Sequence, residues 1–231
     1  MLVIRGDDAR HIGRSLRMRV GDPLTVCDMR RSEYACEITG ITGSEVSLRI
    51  LARGESGNEP RVFVTLYQAF PKSDKMDYIV QKAVELGVGR IVPVTSERSI
   101  PRPEAERLAR RLRRWQKIAL EAGGQCGRGI KVEIGEALCY NEALEKLRGR
   151  EGSFICYEGD GTVRLSEYFR DADLSCGASF LIGPEGGLSA GEVQAAREAG
   201  VPLVGLGKRI VRTETASGLA LAALLFASGE L

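Results

Sequence analysis

Apolar and polar positions alternate in short runs as far as Ile50. Leu24 to Cys27, Tyr34 to Ile38 and Val46 to Leu51 each read as a strand, separated by turn clusters at Gly21-Asp22-Pro23 and Thr42-Gly43-Ser44. This pattern predicts a small β-rich domain. The stretch from Arg53 to Pro60 is polar and rich in chain breakers, so it reads as a linker. The boundary falls near Ser56, giving domains 1–56 and 57–231.

From Val62 the period changes. Val62 to Gln68 reads as a buried strand, and Met76, Ile79, Val80, Ala83 and Leu86 then recur at helical spacing, with Gly87 as a C-terminal stop. Arg90 to Thr95 is the next strand. Pro101 and Pro103 precede a long basic helix running to about Glu121, whose stripe of Leu108, Leu112, Trp115, Ile118 and Ala119 marks a core face. Lys131 to Ile134, Ser153 to Tyr157, Ser179 to Ile182 and Val201 to Leu206 supply further strands, with a short helix at Asn141 to Leu147. Strands alternating with helices predict an α/β domain built on a mostly parallel sheet.

Composition narrows the class. Hydrophobic residues make up 43% and charged residues 28% of the 231 positions, which excludes a mainly disordered or collagen-like chain. The N-terminus carries charges before any apolar core of signal-peptide length, and the longest apolar stretch, Gly218 to Ala227, is too short for a membrane span. A cytoplasmic protein without a membrane role is expected. The six cysteines form no Cys-x-x-Cys pair and one histidine accompanies them, so reduced thiols and no metal site are expected. Net charge is only +2, but basic residues cluster. Arg102, Arg107, Arg110, Arg111, Arg113, Arg114, Lys117, Arg128 and Lys131 form one set; Arg10, Arg14, Arg17 and Arg19 form another. Such patches attract phosphates, although a solvated helix face has the same composition.

The densest chemical signal is LIGPEGGLS, Leu181 to Ser189, where a strand enters a glycine-rich loop and then a helix opened by the Ser189-x-x-Glu192 capping box. Loops at the carboxyl ends of parallel strands bind ligands, and Gly183, Gly186 and Gly187 let main-chain groups approach one. Neither the phosphate-loop nor the dinucleotide spacing is present, which disfavours a kinase or a dehydrogenase. The next strand ends in LGKRIVRTETASG, Leu206 to Gly218, crowding Lys208, Arg209, Arg212, Thr213, Glu214 and Thr215 between two buried elements. Thr213 or Thr215 capping a helix would explain part of this; a shared pocket would explain the rest.

GPEGG followed by LSAGE, together with LGKRIVRTETA, resembles the signature of the RsmE family, methyltransferases of a uridine N3 in 16S ribosomal RNA. RHIGRSLRMRVGD at Arg10 to Asp22, QKAVELGV at Gln81 to Val88, SER at Ser96 to Arg98 and WQKIALEAGGQCGR at Trp115 to Arg128 resemble it as well. The resemblance implies a PUA-like β-barrel followed by a SPOUT-type α/β domain with a C-terminal trefoil knot, which pattern reasoning alone would reject. It further implies S-adenosylmethionine as cofactor, the small ribosomal subunit as partner and a homodimer.

By the same resemblance, Leu181, Gly183, Glu185, Gly186 and Gly187 contact the cofactor from one loop. Leu206, Gly207, Ile210, Arg212, Thr213 and Ala216 do so from the next, and a loop near Tyr157 to Gly159 completes the pocket. Arg212 is the candidate for electrostatic stabilisation of a uracil anion. Glu214 is the candidate proton acceptor, with a structural ion pair to Arg209 or Arg212 as its alternative. Arg10, Arg14 and Arg17 of the small domain, with Arg98 and Arg128, are the candidate RNA contacts. His11 is left between a phosphate contact and a local hydrogen bond, and Gln125 and Arg128 between RNA and a dimer surface. Two other functions stay open: a SPOUT enzyme acting on another RNA, such as a transfer-RNA ribose, and a non-catalytic RNA-binding assembly factor.

Overall fold

The computed structural model of the chain describes residues 1–99 and 104–231. Pro101, Arg102 and Pro103 lie outside the described residues. The chain divides into two compact units, Met1–Glu59 with Gly127–Lys131, and Pro60–Cys126 with Val132–Leu231.

In the first unit, β1 (Leu2–Arg5) leads into α1 (Asp7–Arg10) and a π-helical turn (His11–Ser15). The strands β2 (Pro23–Cys27), β3 (Ser32–Ile41) and β4 (Glu45–Glu55) follow. The strands form one antiparallel sheet in the order β1-β4-β3-β2. Two-residue alternation puts Cys36 and Ile38 of β3 and Val46 and Leu48 of β4 on one face, where Ala9 and Ile12 cover them. The linker expected from Arg53 is corrected. Arg53, Gly54 and Glu55 continue β4, paired with Tyr34, Glu33 and Ser32 of β3. All three are exposed, so a solvated strand end carries the composition of a loop.

The segment Gly127–Lys131 joins this unit by backbone pairing, from Arg31 N–H to Gly129 O at 2.9 Å and from Lys131 N–H to Met29 O at 3.1 Å. Gly129 is required by space: a Cβ there would stand 2.2 Å from that of Ser56. The Glu59 carboxylate fastens the segment. It accepts from Arg128 Nη2 at 2.8 Å, from Arg128 Nε at 3.0 Å and from the N–H groups of Gly129 at 2.6 Å and Ile130 at 3.0 Å. Both charged side chains are buried, at 5% and 7% exposure.

The second unit contains β5 (Val64–Ala69), α2 (Lys75–Glu85), β6 (Arg90–Thr95), α3 (Ala105–Gln125), β7 (Glu133–Ile134), β8 (Leu138–Cys139) and α4 (Tyr140–Leu147). It continues with β9 (Ser153–Cys156), β10 (Val163–Arg164), α5 (Leu165–Asp171), β11 (Ala178–Ile182), α6 (Ala190–Glu198), β12 (Leu203–Gly205) and α7 (Thr213–Ala227). Its sheet is parallel, in the order β10-β12-β9-β11-β5-β6-β7, with β8 also pairing β6. The middle strands are apolar on both faces, as a sheet covered on both sides requires. Leu66, Phe154 and Phe180 pack with α2, α3 and α7, while Tyr67, Val92, Ile155 and Leu181 pack with α4 and α6. Trp115 is core, 6.0 Å from Phe70 between ring centres, and its indole N–H donates to Asp77 at 3.0 Å. α7 begins at Thr213, earlier than its apolar stretch at Gly218. No described helix is long and apolar enough to cross a membrane.

Candidate active site

Three loops at the carboxyl ends of β9, β11 and β12 enclose a pocket of about 240 Å³. The first supplies Tyr157 and Glu158, the second Gly183 to Glu185 with Gly187 and Leu188, and the third Leu206, Gly207 and Arg209 to Thr213. Ile182, Leu188, Leu206 and Val211 give it apolar walls. Gly187 is held at φ +66, where a Cβ would stand 2.5 Å from the Glu158 carboxylate, so this turn needs a bare backbone.

The N–H groups of Leu206 to Val211 form no backbone hydrogen bond among the described residues. They lie along a loop that lines the pocket, so main-chain donors are left for a ligand or for water.

A buried polar chain fixes the second and third loops to the sheet. Thr213 Oγ1 donates to Gly183 O at 2.8 Å and accepts from Gln68 Nε2 at 3.0 Å. Ser217 Oγ lies 2.6 Å from Gln68 Oε1 and 2.8 Å from Thr213 O. Gln68 is fully buried near the end of β5, where its amide N–H also donates to Ala69 O at 3.1 Å, so these partners satisfy a polar group cut off from water. The capping box of α6 forms as expected, with Ser189 N–H donating to Glu192 Oε2 at 2.9 Å and Glu192 N–H to Ser189 Oγ at 3.2 Å. The other Glu192 oxygen accepts from Glu97 N–H at 2.9 Å, and Arg98 Nη1 donates to Gly186 O at 3.2 Å. The Ser96-Glu97-Arg98 turn is thereby tied to the glycine loop.

Beside the pocket, Lys75 Nζ bridges Glu185 at 3.0 Å and Glu214 at 3.2 Å. Burial pushes the Glu185 carboxyl up, but hydrogen bonds from its own backbone N–H, from Lys75 and from the Lys72 N–H outweigh that and hold it below the usual carboxylate range. The Lys75 ammonium is raised, chiefly by its hydrogen bond to Glu185. Glu214 does not line the pocket, and the ion-pair partner expected in Arg209 or Arg212 is corrected to Lys75.

Among the expected cofactor positions, Gly183, Glu185, Gly187, Leu206, Gly207, Ile210, Arg212, Thr213 and Ala216 line the pocket. Leu181 and Gly186 do not. Leu181 is fully buried in β11 with its side chain in the core, and Gly186 lies beneath Arg98. Arg212 and Arg209 are exposed at the pocket and form no ion pair among the described residues. Of the expected RNA contacts, Arg14 and Arg17 are exposed on the first unit, as is Arg10, which pairs with Asp7 at 3.0 Å. Arg128 is corrected: its buried guanidinium is bound to Glu59, so it is a structural tie and no free arm for phosphate. Lys75, Gln68 and Ser217 were missed by sequence reasoning: Lys75 and Gln68 lie far along the chain from the loops they hold, and the partner of Ser217, Gln68, is 149 positions away. Among the described residues no cluster of three His, Cys, Asp or Glu side chains could hold a metal ion.

Residues 58–225 match the model of the RNA methyltransferase domain family, and residues 4–51 that of the RNA methyltransferase PUA domain. The ribosomal RNA small subunit methyltransferase E of Bacillus subtilis is 30% identical over 227 residues, covering 96% of this chain and 89% of the relative. That of Aquifex aeolicus is 30% identical over 223 residues, covering 94% and 90%. The crystal structure of the Neisseria gonorrhoeae enzyme of that name, bound to S-adenosyl methionine, superposes with a TM-score of 0.86 at 35% identity, covering 97% of this chain and 91% of that one.

Proposed function

The chain belongs to the ribosomal RNA small subunit methyltransferase E family, and on that premise we propose that it methylates N3 of a uridine in 16S ribosomal RNA of the small ribosomal subunit, using S-adenosylmethionine. The observation that carries this reading is the pocket itself, where glycine-bared turns, unpaired main-chain donors and apolar walls lie beside exposed Arg209 and Arg212. These features fit the cofactor: main-chain donors suit an adenine edge, apolar walls suit its faces, and the Glu158 carboxylate is placed to accept from hydroxyl groups. Gly183, Glu185, Gly187, Leu206, Gly207, Ile210, Thr213 and Ala216 are the binding residues in this proposal.

Bound S-adenosylmethionine supplies an electrophilic sulfonium methyl group. The protein's task is to hold the base in line with it and to make an unprotonated N3 accessible. Arg212 stands at the pocket with its charge uncommitted among the described residues, so it is the group assigned to the uracil anion. A fixed cation there lowers the cost of losing the N3 proton to water, so no side-chain base is required. Glu214 and Glu185, both tied to Lys75, set the position of the two loops. Exposed Arg14 and Arg17, with Arg10, are proposed to take RNA phosphates on the first unit, and Arg98 to do so beside the glycine loop.

The reading extends to a homodimer acting in the cytoplasm. Ile210 at 84% exposure and Phe226 at 73% give the C-terminal region apolar surface of the kind oligomers cover. It extends also to a trefoil knot, a reading supported by the bonds of Thr213, which follows β12, to Gly183 after β11 and to Gln68 in β5.

The test is transfer of labelled methyl to small ribosomal subunits and, separately, to free small-subunit RNA, followed by nucleoside identification. N3-methyluridine is the expected product. A ribose-methylated nucleoside would overturn the assignment in favour of another RNA target, and RNA binding without transfer would make the protein an assembly factor.

A further inference from the structure

The amino ends of β5, β6, β7, β9 and β11, at the opposite end of the sheet from the pocket, carry a row of polar residues that packing does not explain. Ser153 pairs with Ser179, Ser179 with Thr65, Thr65 with Arg90 and Arg90 with Glu133, so five strands contribute one polar position each at the same level. The next row on that face, two residues on, is apolar: Ile155, Leu181, Tyr67 and Val92. α4 and α6 cover the apolar row.

A cleft of about 1030 Å³ lies over the polar row. Ser153 is 2% exposed and lines it, yet its hydroxyl has no hydrogen-bond partner among the described residues. The buried Arg90 Nε is likewise unpartnered among the described residues, since the pairing to Glu133 at 3.4 Å uses Nη2. Orphaned buried groups of this kind are rare and call for a missing partner. Arg150, exposed on the loop after α4, lines the same cleft. The charges of Arg150 and Arg90 both reach the Tyr67 hydroxyl, pulling against the burial that raises it. Phe63, 57% exposed, forms one wall, its ring laid so closely over Gly89 that a Cβ there would stand 2.5 Å from it. Glu136 and Glu151 also line the cleft.

We propose that this cleft is a second nucleotide-binding site, with the base on the Phe63 ring and the phosphate between Arg90 and Arg150 above the Ser153 hydroxyl. Guanidinium pairs take phosphate, aromatic rings take bases of any identity, and the carboxylates of Glu136 and Glu151 accept from ribose hydroxyls. The chemistry is the same for a free nucleotide and for one unit of a single-stranded RNA. The inference does not depend on the methyl-transfer reading, because none of these residues lines the cofactor pocket.

Cytidine 5′-monophosphate and a six-nucleotide cytidine RNA are titrated separately into the full chain by calorimetry, with the first pocket saturated by S-adenosylhomocysteine. Saturable binding of at least one is expected. Arg150→Gln and Phe63→Ala, both at exposed positions, should each weaken it about tenfold, the scale of one base stack. Ser153→Ala should weaken it several-fold, whereas a merely structural serine would leave it unchanged. S-adenosylhomocysteine binding should be unaltered in all three. Binding of the mononucleotide identifies a free ligand; binding of the RNA alone identifies the substrate strand. Absence of saturable binding by both, or binding indifferent to Arg150 and Phe63, overturns the site.

Discussion

Two carboxylates, Glu59 in the first unit and Glu185 in the second, each hold a loop through a cation, and they do so in opposite environments. Glu59 and Arg128 are both buried below a tenth exposure, and the carboxylate also takes two backbone N–H groups. Glu185 shares Lys75 with Glu214 at 20% and 28% side-chain exposure, within reach of water. The buried pair is a commitment of structure, because removing either partner leaves the other desolvated. The partly exposed bridge costs less to disturb than the buried pair, which suits loops that must admit a ligand. The difference separates two arginines that sequence alone treats alike: Arg128, used up by Glu59, and Arg212, left free among the described residues.

The largest effect is expected at Arg128. Arg128→Met leaves the Glu59 carboxylate buried with only backbone donors among the partners described for it, and should destabilise the first unit by about 3–5 kcal/mol. Urea unfolding of the full chain followed by hydrogen exchange on residues 1–59 measures it, and adding Glu59→Gln should restore part of the loss. A change below about 1 kcal/mol would make Arg128 a surface residue in solution. Arg212→Ala should instead leave stability almost untouched and lower kcat about a hundredfold, with cofactor affinity changed far less. An equal loss in cofactor affinity and kcat would reassign Arg212 to binding.

The comparison also shows what could be read beforehand. The parallel core was legible because its strands are short apolar runs and its helices keep a 3.6-residue period, as in α2. The glycine loop was legible because Ser189 and Glu192 are local. What was lost is non-local or polar. Gln68 and Thr213 are 145 positions apart, and Gln68 and Ser217 are 149 apart, so nothing nearby announces their contact. The end of β4 was lost because its exposed Arg53-Gly54-Glu55 has no apolar face. The return of Gly127–Lys131 to the first unit was lost because the basic helix before it belongs to the second. α5 was lost because only Leu165, Tyr168 and Phe169 of its seven residues pack on the core.

Beside the buried tie and the partly exposed bridge stands the Gln68 chain, which is buried but neutral. Gln68→Leu removes both amide groups and leaves Thr213 and Ser217 hydroxyls without that partner, at a cost of about 1–3 kcal/mol. Because these bonds join β5 to both pocket loops, cofactor affinity should fall together with the thermal midpoint. A lower midpoint with unchanged cofactor affinity would show that the loops keep their positions without the chain.

The smallest effect is expected at Lys75, and pH is the means of seeing it. The Glu185 carboxyl sits below its usual range, so its contribution is present above that range and lost as pH falls through the depressed value. The Lys75 ammonium sits above its usual range, so its contribution holds below that range and is lost only as pH rises through the elevated value. Between these limits the bridge stays charged on both sides, and cofactor affinity should be flat across the neutral range. Lys75→Met removes the cation that helps to hold Glu185 down. Affinity should weaken only about two- to fivefold at neutral pH, the scale of an exposed ion pair, and its acid limb should move to higher pH as the carboxyl loses its partner. Cofactor titrations of both proteins from the carboxylate range to neutrality read this directly. An acid limb that the substitution does not move would mean that the Lys72 N–H and the backbone alone hold Glu185, and that the bridge is as dispensable to the pocket as the buried tie is indispensable to the first unit.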